Sequence, residues 1–201
     1  PQRASAEIGN PMLGDVDGDG RTDVAWIKED DDRMAVTVVP GDGQKWTTEL
    51  TLDPVFDIKD YNAGIGDLDD DGKDDLILFG DATDELDGLH VALATGDDFA
   101  QPTQWYSSDL SQSQVRVGDF DGDGRDEVVY FGVHRDEARD RSIDYMRLLR
   151  PEDGALVEVA EQRLPGSAVD PGLAPWRVGD VDGDGDVELV VSNVTRRVIF
   201  V

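Results

Sequence analysis

Apolar residues in this chain fall in short runs separated by stretches rich in Asp and Gly. Runs such as Val36-Thr37-Val38-Val39 and Val128-Val129-Tyr130-Phe131 are β-branched and aromatic. They are too short for a helix and are bounded by turn residues, which is the pattern of buried strands. In the third part of the chain this predicts strands near 115–117, 127–131, 145–149 and 156–160, an antiparallel four-stranded sheet. The first two parts read the same way, with outer strands near 46–52 and 104–106. The last part carries strands near 187–191 and 197–201 and then ends, one strand short. Turns at Pro40-Gly41-Asp42-Gly43, Thr95-Gly96-Asp97-Asp98 and Pro151-Glu152-Asp153-Gly154 are hairpin signals between apolar runs.

A longer period underlies this pattern. One segment recurs from Gly14 (GDVDGDGRTDVAWI), Gly66 (GDLDDDGKDDLILF), Gly118 (GDFDGDGRDEVVYF) and Gly179 (GDVDGDGDVELVVS), at intervals of 52, 52 and 61 residues. That spacing suits a repeating unit of about four short strands. Residues 1–201 are therefore expected to form one all-β domain of four repeats, near 9–62, 63–114, 115–175 and 176–201. Two closures stay open. Either residues 6–8 supply the missing strand and complete a small ring, or the four units are part of a larger one with exposed apolar edges prone to pairing.

Each repeat opens on an acidic loop. Counting from its first Asp, side-chain oxygens fall at positions 1, 3, 5 and 9: Asp15, Asp17, Asp19 and Asp23; Asp67, Asp69, Asp71 and Asp75; Asp119, Asp121, Asp123 and Glu127; Asp180, Asp182, Asp184 and Glu188. Hard oxygens at every second residue of a tight loop can wrap one ion, and the position-7 carbonyls of Arg21, Lys73, Arg125 and Asp186 can add a ligand. Gly20, Gly72, Gly124 and Gly185 at position 6 permit the sharp turn. Calcium suits such a set, because it accepts 6–8 oxygens in flexible geometry, whereas magnesium keeps its waters and zinc favours His or Cys. An EF-hand shares the opening Asp-x-Asp-x-Asp-Gly but requires Glu at position 12 and an exiting helix. Here position 12 is Trp26, Leu78, Tyr130 and Val191, and the exit reads as a strand.

Charge and composition narrow the function. There are 46 Asp and Glu against 18 Lys and Arg, a formal charge of -28. A nucleic acid backbone needs the opposite surplus, so nucleic acid is an unsuitable partner, and an anionic membrane is disfavoured likewise. About four calcium ions would bring -28 to -20. No cysteine is present, which removes disulfides and thiolate metal sites. No apolar stretch approaches the ~20 residues that cross a bilayer.

With these repeats laid out, the chain resembles the FG-GAP or VCBS repeat family, seen in the integrin α-subunit propeller and in bacterial secreted proteins. The resemblance rests on Gly-Asp-Val-Asp-Gly-Asp-Gly-Arg-Thr-Asp from Gly14, its three counterparts and the turn at Gly41-Asp42-Gly43. It implies a β-propeller of four-stranded antiparallel blades, each loop joining the first two strands of a blade and binding calcium on one face. The chain departs from the family at Glu127 and Glu188, which replace Asp at position 9, and at Asp70, which replaces Gly at position 4.

The expected role is a non-catalytic, calcium-stabilised module for extracellular protein binding or adhesion. A lectin-like propeller and an accessory domain of a secreted enzyme are the alternatives. Partner contacts are expected on the loops 28–33, 53–63, 80–88, 132–144 and 165–175, opposite the metal face. Tyr61, Trp105, Tyr106 and Trp176 are candidate contact aromatics, read first as packing residues. His90 lies in an apolar strand and His134 in a charged stretch, and no Ser-His-Asp or Cys-His arrangement is visible, so no catalytic residue is assigned. The partner is a protein or a glycan, and a homodimer or a multidomain parent chain is compatible. Extracellular or periplasmic placement follows from the abundance of calcium there.

Overall fold

A computed structural model describes residues 11–30, 33–50, 63–80, 88–108, 111–136, 141–164, 176–179, 181–183, 188–192 and 197–200. Among them all regular structure is β, in four antiparallel sheets. Sheet 1 holds β1 (Met12–Gly14), β2 (Asp23–Asp30), β3 (Arg33–Val39) and β4 (Trp46–Leu50). Sheet 2 holds β5 (Ala63–Gly66), β6 (Asp75–Gly80), β7 (Gly88–Ala92) and β8 (Thr103–Ser107). Sheet 3 holds β9 (Ser111–Gly118), β10 (Glu127–Asp136), β11 (Arg141–Glu152) and β12 (Ala155–Arg163). Sheet 4 holds β13 (Trp176–Gly179), β14 (Glu188–Ser192) and β15 (Arg197–Phe200). In each sheet the strands pair in sequence order, one sheet per repeat.

The sheets stack face to face, and this explains the continuous apolar runs. Leu76 and Leu78 of β6 join Ala25, Val36 and Val38 of sheet 1 in one buried cluster. The alternate residues Ile77 and Phe79 join Val128, Tyr130 and Leu149 of sheet 3 in another. A strand buried on both faces loses its polar alternation, and β7 is accordingly buried at every position. Each such Leu or Phe contributes about 1.5–3 kcal/mol when taken from water. The first strands of successive repeats are neighbours, β1 against β5, β5 against β9 and β9 against β13.

Two expectations change. The stretches 28–33 and 132–144, read as variable loops, are largely strand: β2 and β3 pair as far as Asp30↔Arg33, and β10 and β11 as far as Asp136↔Arg141. Backbone pairing needs no apolar side chains, so charge hid these hairpin extensions. His134 lies in this extension with its ring edge-on to Tyr145 at 6.5 Å. The closed ring is not found: the described sheets form an open row in which β13 packs on β9, with no comparable packing of β13 on β1. Residues 6–8, Tyr61 and the stretches 53–62, 81–87 and 165–175 lie outside the described residues.

The hairpin turns fall where expected. Asp153 (φ 49°) and Gly154 (φ 78°) both take the left-handed conformation that a tight two-residue hairpin requires. Gly43 N–H donates to the Pro40 carbonyl at 2.8 Å. Trp105 is buried between sheets 2 and 3, its Nε1 donating to Thr103 Oγ1 at 3.1 Å, so it is a packing residue.

Candidate metal centres

Each acidic loop spans the gap between the first and second strands of its sheet, and its own carboxylates shape it. Asp15 Oδ2 accepts the Gly20 N–H at 2.7 Å, Asp67 Oδ2 that of Gly72 at 2.9 Å, and Asp119 Oδ2 that of Gly124 at 2.9 Å. Position 1 thus caps position 6 in three successive repeats. Position 5 caps position 7 likewise, through Asp19 to Arg21, Asp71 to Lys73 and Asp123 to Arg125. Gly20, Gly72 and Gly124 carry φ of 81°, 84° and 89°, the turn that a side chain resists. Asp70, standing for Gly at position 4, adopts φ 63°, a conformation that Asp tolerates better than most residues.

These turns bring oxygens together. One ligand atom each from Asp15, Asp17 and Asp19 lie within 4.8 Å of one another, and so do those of Asp67, Asp69 and Asp71, and those of Asp119, Asp121 and Glu127. Oxygens bound to one calcium at 2.3–2.6 Å can be no more than about 5 Å apart. The donor set, all hard oxygen, therefore fits a calcium-sized ion. In the fourth loop Asp182 is exposed, Glu188 opens β14, and Asp180, Asp184 and Asp186 lie outside the described residues.

Position 9 has a further task. Asp23 is fully buried, with Oδ2 accepting the Val16 N–H at 3.0 Å and Oδ1 that of Gly41 at 2.8 Å. Asp75 repeats this with Leu68 at 3.1 Å and Ala94 at 2.8 Å. These carboxylates tie the start of the loop to the segment following the third strand. Glu127 keeps the first bond, to Phe120 N–H at 3.0 Å, but its other oxygen meets Arg150 Nε at 3.3 Å. The same guanidinium hydrogen-bonds Asp121. A resident cation therefore sits on two of the three oxygen donors of the third cluster. Sequence reasoning missed Arg150; the signal was Arg on the strand facing the one described loop with Glu at position 9.

A second omission is position 8. Asp74 Oδ2 accepts the Asp15 N–H at 2.7 Å, and Asp126 Oδ2 accepts the Asp67 N–H at 3.0 Å. The second and third repeats thus each latch the loop of the repeat before. A Cβ on Gly66 would lie 2.6 Å from Asp126 Oδ2 and would overlap Val117 Cγ1, and one on Gly14 would overlap Asp74 Oδ2. The glycine opening the motif makes room for the next repeat's carboxylate.

Crowded, partly dehydrated carboxylates hold protons. Burial pushes Asp75 up to about 7 and Asp126 to about 6, and neighbouring carboxylates add to both. Burial also raises Asp17, Asp69, Asp74 and Glu127. The sign follows: between the ordinary carboxyl range and pH 7 the folded chain binds more protons than the unfolded one, so the stability of the ion-free protein falls as pH rises through 6 and 7. A divalent ion replaces those protons and binds better as they leave. Thermal melts in chelator are expected to give a higher Tm at pH 5.5 than at pH 7.5, and excess calcium is expected to reverse that order.

Residues 67–130 match the family model of the FG-GAP-like repeat. Among solved structures, rhamnogalacturonan lyase YesW is similar with a TM-score of 0.56 and 17% identity, over 92% of this chain and 40% of that one. The PL11 rhamnogalacturonan lyase of Bacillus licheniformis gives a TM-score of 0.53, 17% identity and the same coverages. At that identity the likeness is one of fold, and this chain spans about 40% of the length of either lyase. No curated protein matches the sequence. The chain carries an FG-GAP-like repeat over residues 67–130, the stretch that holds its second and third acidic loops.

Proposed function

We propose that this chain is a non-catalytic arc of β-propeller blades, held together by one structural calcium ion per acidic loop and serving as a binding or adhesion module outside the cytoplasm. The observation that carries the reading is the recurrence of three-oxygen clusters in three successive loops, the first two at identical positions. The loops abut: Asp74 and Asp126 latch neighbours, and Arg125 pairs with Asp70 across the second junction at 3.5 Å. Ions placed there would clasp both a hairpin and a junction, so binding free energy becomes folding free energy. Among the described residues no helix is long and apolar enough to cross a membrane.

A second reading has its own support. The similar structures are rhamnogalacturonan lyases, and this chain matches 40% of their length. Under that reading the chain is the accessory part of an extracellular enzyme, and glycan binding is its partner function. A cleft of about 280 Å³, with Trp105, Arg125 and Arg150 among its lining residues, lies between the second loop and the β11–β12 hairpin.

Calorimetric titration tests the calcium reading. Binding of about four ions is expected, with the third loop weakest because Arg150 must be displaced from Asp121 and Glu127. Arg150→Leu should strengthen that site about tenfold, equivalent to ~1.4 kcal/mol. Titration without heat or stoichiometric uptake would refute the reading, and an Arg150→Leu isotherm matching wild type would refute the role of the guanidinium.

A further inference from the structure

The first two acidic loops are joined by their backbones as well as by the latch. Asp74, at position 8 of the second loop, accepts the Asp15 N–H on Oδ2 at 2.7 Å, and its own N–H donates to the Asp15 carbonyl at 2.8 Å. Asp15 is position 1 of the first loop, so one residue of the next repeat holds that ligand residue on both sides of its Cα. Within the first loop Asp15 in turn caps the N–H groups of Asp19 at 3.0 Å and Gly20 at 2.7 Å, positions 5 and 6. The two loops also pack: a Cβ on Gly18 would lie 3.1 Å from Lys73 Cγ and 3.3 Å from the Gly72 carbonyl oxygen.

Position 8 stands between two ligand positions of its own loop. The position-7 carbonyl of Lys73 precedes Asp74, and the position-9 carboxylate of Asp75 follows it, buried on the N–H groups of Leu68 and Ala94. Closing the second loop round an ion therefore fixes both neighbours of Asp74, and with them the backbone from which its carboxylate reaches Asp15. Asp126 repeats this carboxylate arm at the second junction, onto Asp67, position 1 of the second loop. The arm belongs to the second and third repeats, since position 8 is Thr22 in the first and Val187 in the fourth.

Resting on the calcium reading above, we infer that neighbouring ion sites are positively coupled through position 8. Closing the second loop steadies Asp74, Asp74 sets Asp15, and the first loop then binds its own ion more tightly. Coupling in binding is reciprocal, so an ion in the first loop strengthens the second site by the same factor. Charge acts in the opposite sense, because each ion weakens the negative field that draws its neighbour. Ordering outweighs that field here: Asp19, Asp70 and Asp71 face solvent, where salt screens them, whereas the Asp15–Asp74 bracket is partly buried and consists of direct hydrogen bonds.

The test is a calcium titration of the intact chain followed by proton–nitrogen NMR correlation spectra. It is read at the amides of Gly20 and Gly72, each of which hydrogen-bonds the first Asp of its own loop. Asp69→Asn combined with Asp71→Asn empties the second site, checked by loss of the Gly72 response, and keeps side-chain oxygens for the turn. The two charges removed are the two that a bound calcium ion would cancel, so the first loop meets the same net charge without the order that the ion imposes. The calcium midpoint at Gly20 is expected to rise about tenfold in this variant. On an Asp74→Ala background the same pair of substitutions should move it by less than about twofold. The first comparison leaves Asp74 intact, so it decides even where Asp74→Ala does not fold. An unchanged or lowered Gly20 midpoint in the Asp69→Asn, Asp71→Asn variant overturns the inference, and so does a full shift that persists without the Asp74 side chain. No response at Gly20, Gly72 and Gly124 in wild type would overturn the calcium reading itself and this inference with it.

Discussion

Removing calcium is expected to lower the melting temperature of this protein by about 15–30 °C. With a dissociation constant of ~10 μM and ~1 mM free calcium, each independent site adds about 2.7 kcal/mol to the folded state. Three such sites come to ~8 kcal/mol, most of the 5–15 kcal/mol by which domains are usually stable. For a chain of this size each kcal/mol moves Tm by about 2–4 °C. The effect should be large because the ion-free loops pay twice: their carboxylates repel, and burial at Asp75 and Asp126 removes the water that would screen them. Melting followed by circular dichroism, with chelator and then with calcium restored, measures it. Magnesium should restore little, since it gives up its waters reluctantly and wants octahedral geometry that an Asp-x-Asp-x-Asp loop does not impose. Coincident curves with and without chelator would show that the caps at Gly20, Gly72 and Gly124 suffice to hold the loops.

The sequence shows the repeat and most of the donor set because both are local. A capping carboxylate and the backbone N–H that donates to it lie two to five residues apart, so alternating Asp with Gly at position 6 specifies the turn before any tertiary contact forms. Strands β6 and β10 are legible for a related reason: burial on both faces leaves an unbroken apolar run. What the sequence conceals is whatever depends on a neighbouring repeat. Asp126 reads as one more acid in Arg-Asp-Glu, and only the stacking of sheet 3 on sheet 2 shows its oxygen on the Asp67 N–H, 59 residues away. Arg150 is likewise 29 residues from Asp121 in sequence. The hairpin extension from Gly132 to Asp136 was misread because hydropathy reports burial, and a ladder of backbone bonds can continue where burial ends.

Gly66→Ala is expected to destabilise the protein by about 3–5 kcal/mol, far more than the same change at Gly20. Around Gly20 no atom lies within 4 Å of an added Cβ, so the cost is that of a left-handed backbone, roughly 1–2 kcal/mol. At Gly66 the methyl meets Val117 of the next repeat and lies 2.6 Å from Asp126 Oδ2. Overpacking of this kind costs about 1–3 kcal/mol. Displacing Asp126 also breaks a charge-assisted bond to the first N–H of the second metal loop, worth about 1.5–3 kcal/mol more. Denaturant unfolding of the two variants in calcium gives the comparison directly. Adding Asp126→Ala to Gly66→Ala should cost less than Asp126→Ala costs alone, because the latch is already lost. That non-additivity is expected to exceed about 1 kcal/mol. Val117 would still collide with the methyl, so the double variant should not regain wild-type stability. Equal losses at Gly66 and Gly20, or strict additivity with Asp126→Ala, would mean that the glycine serves its own loop and that the latch does not join the repeats.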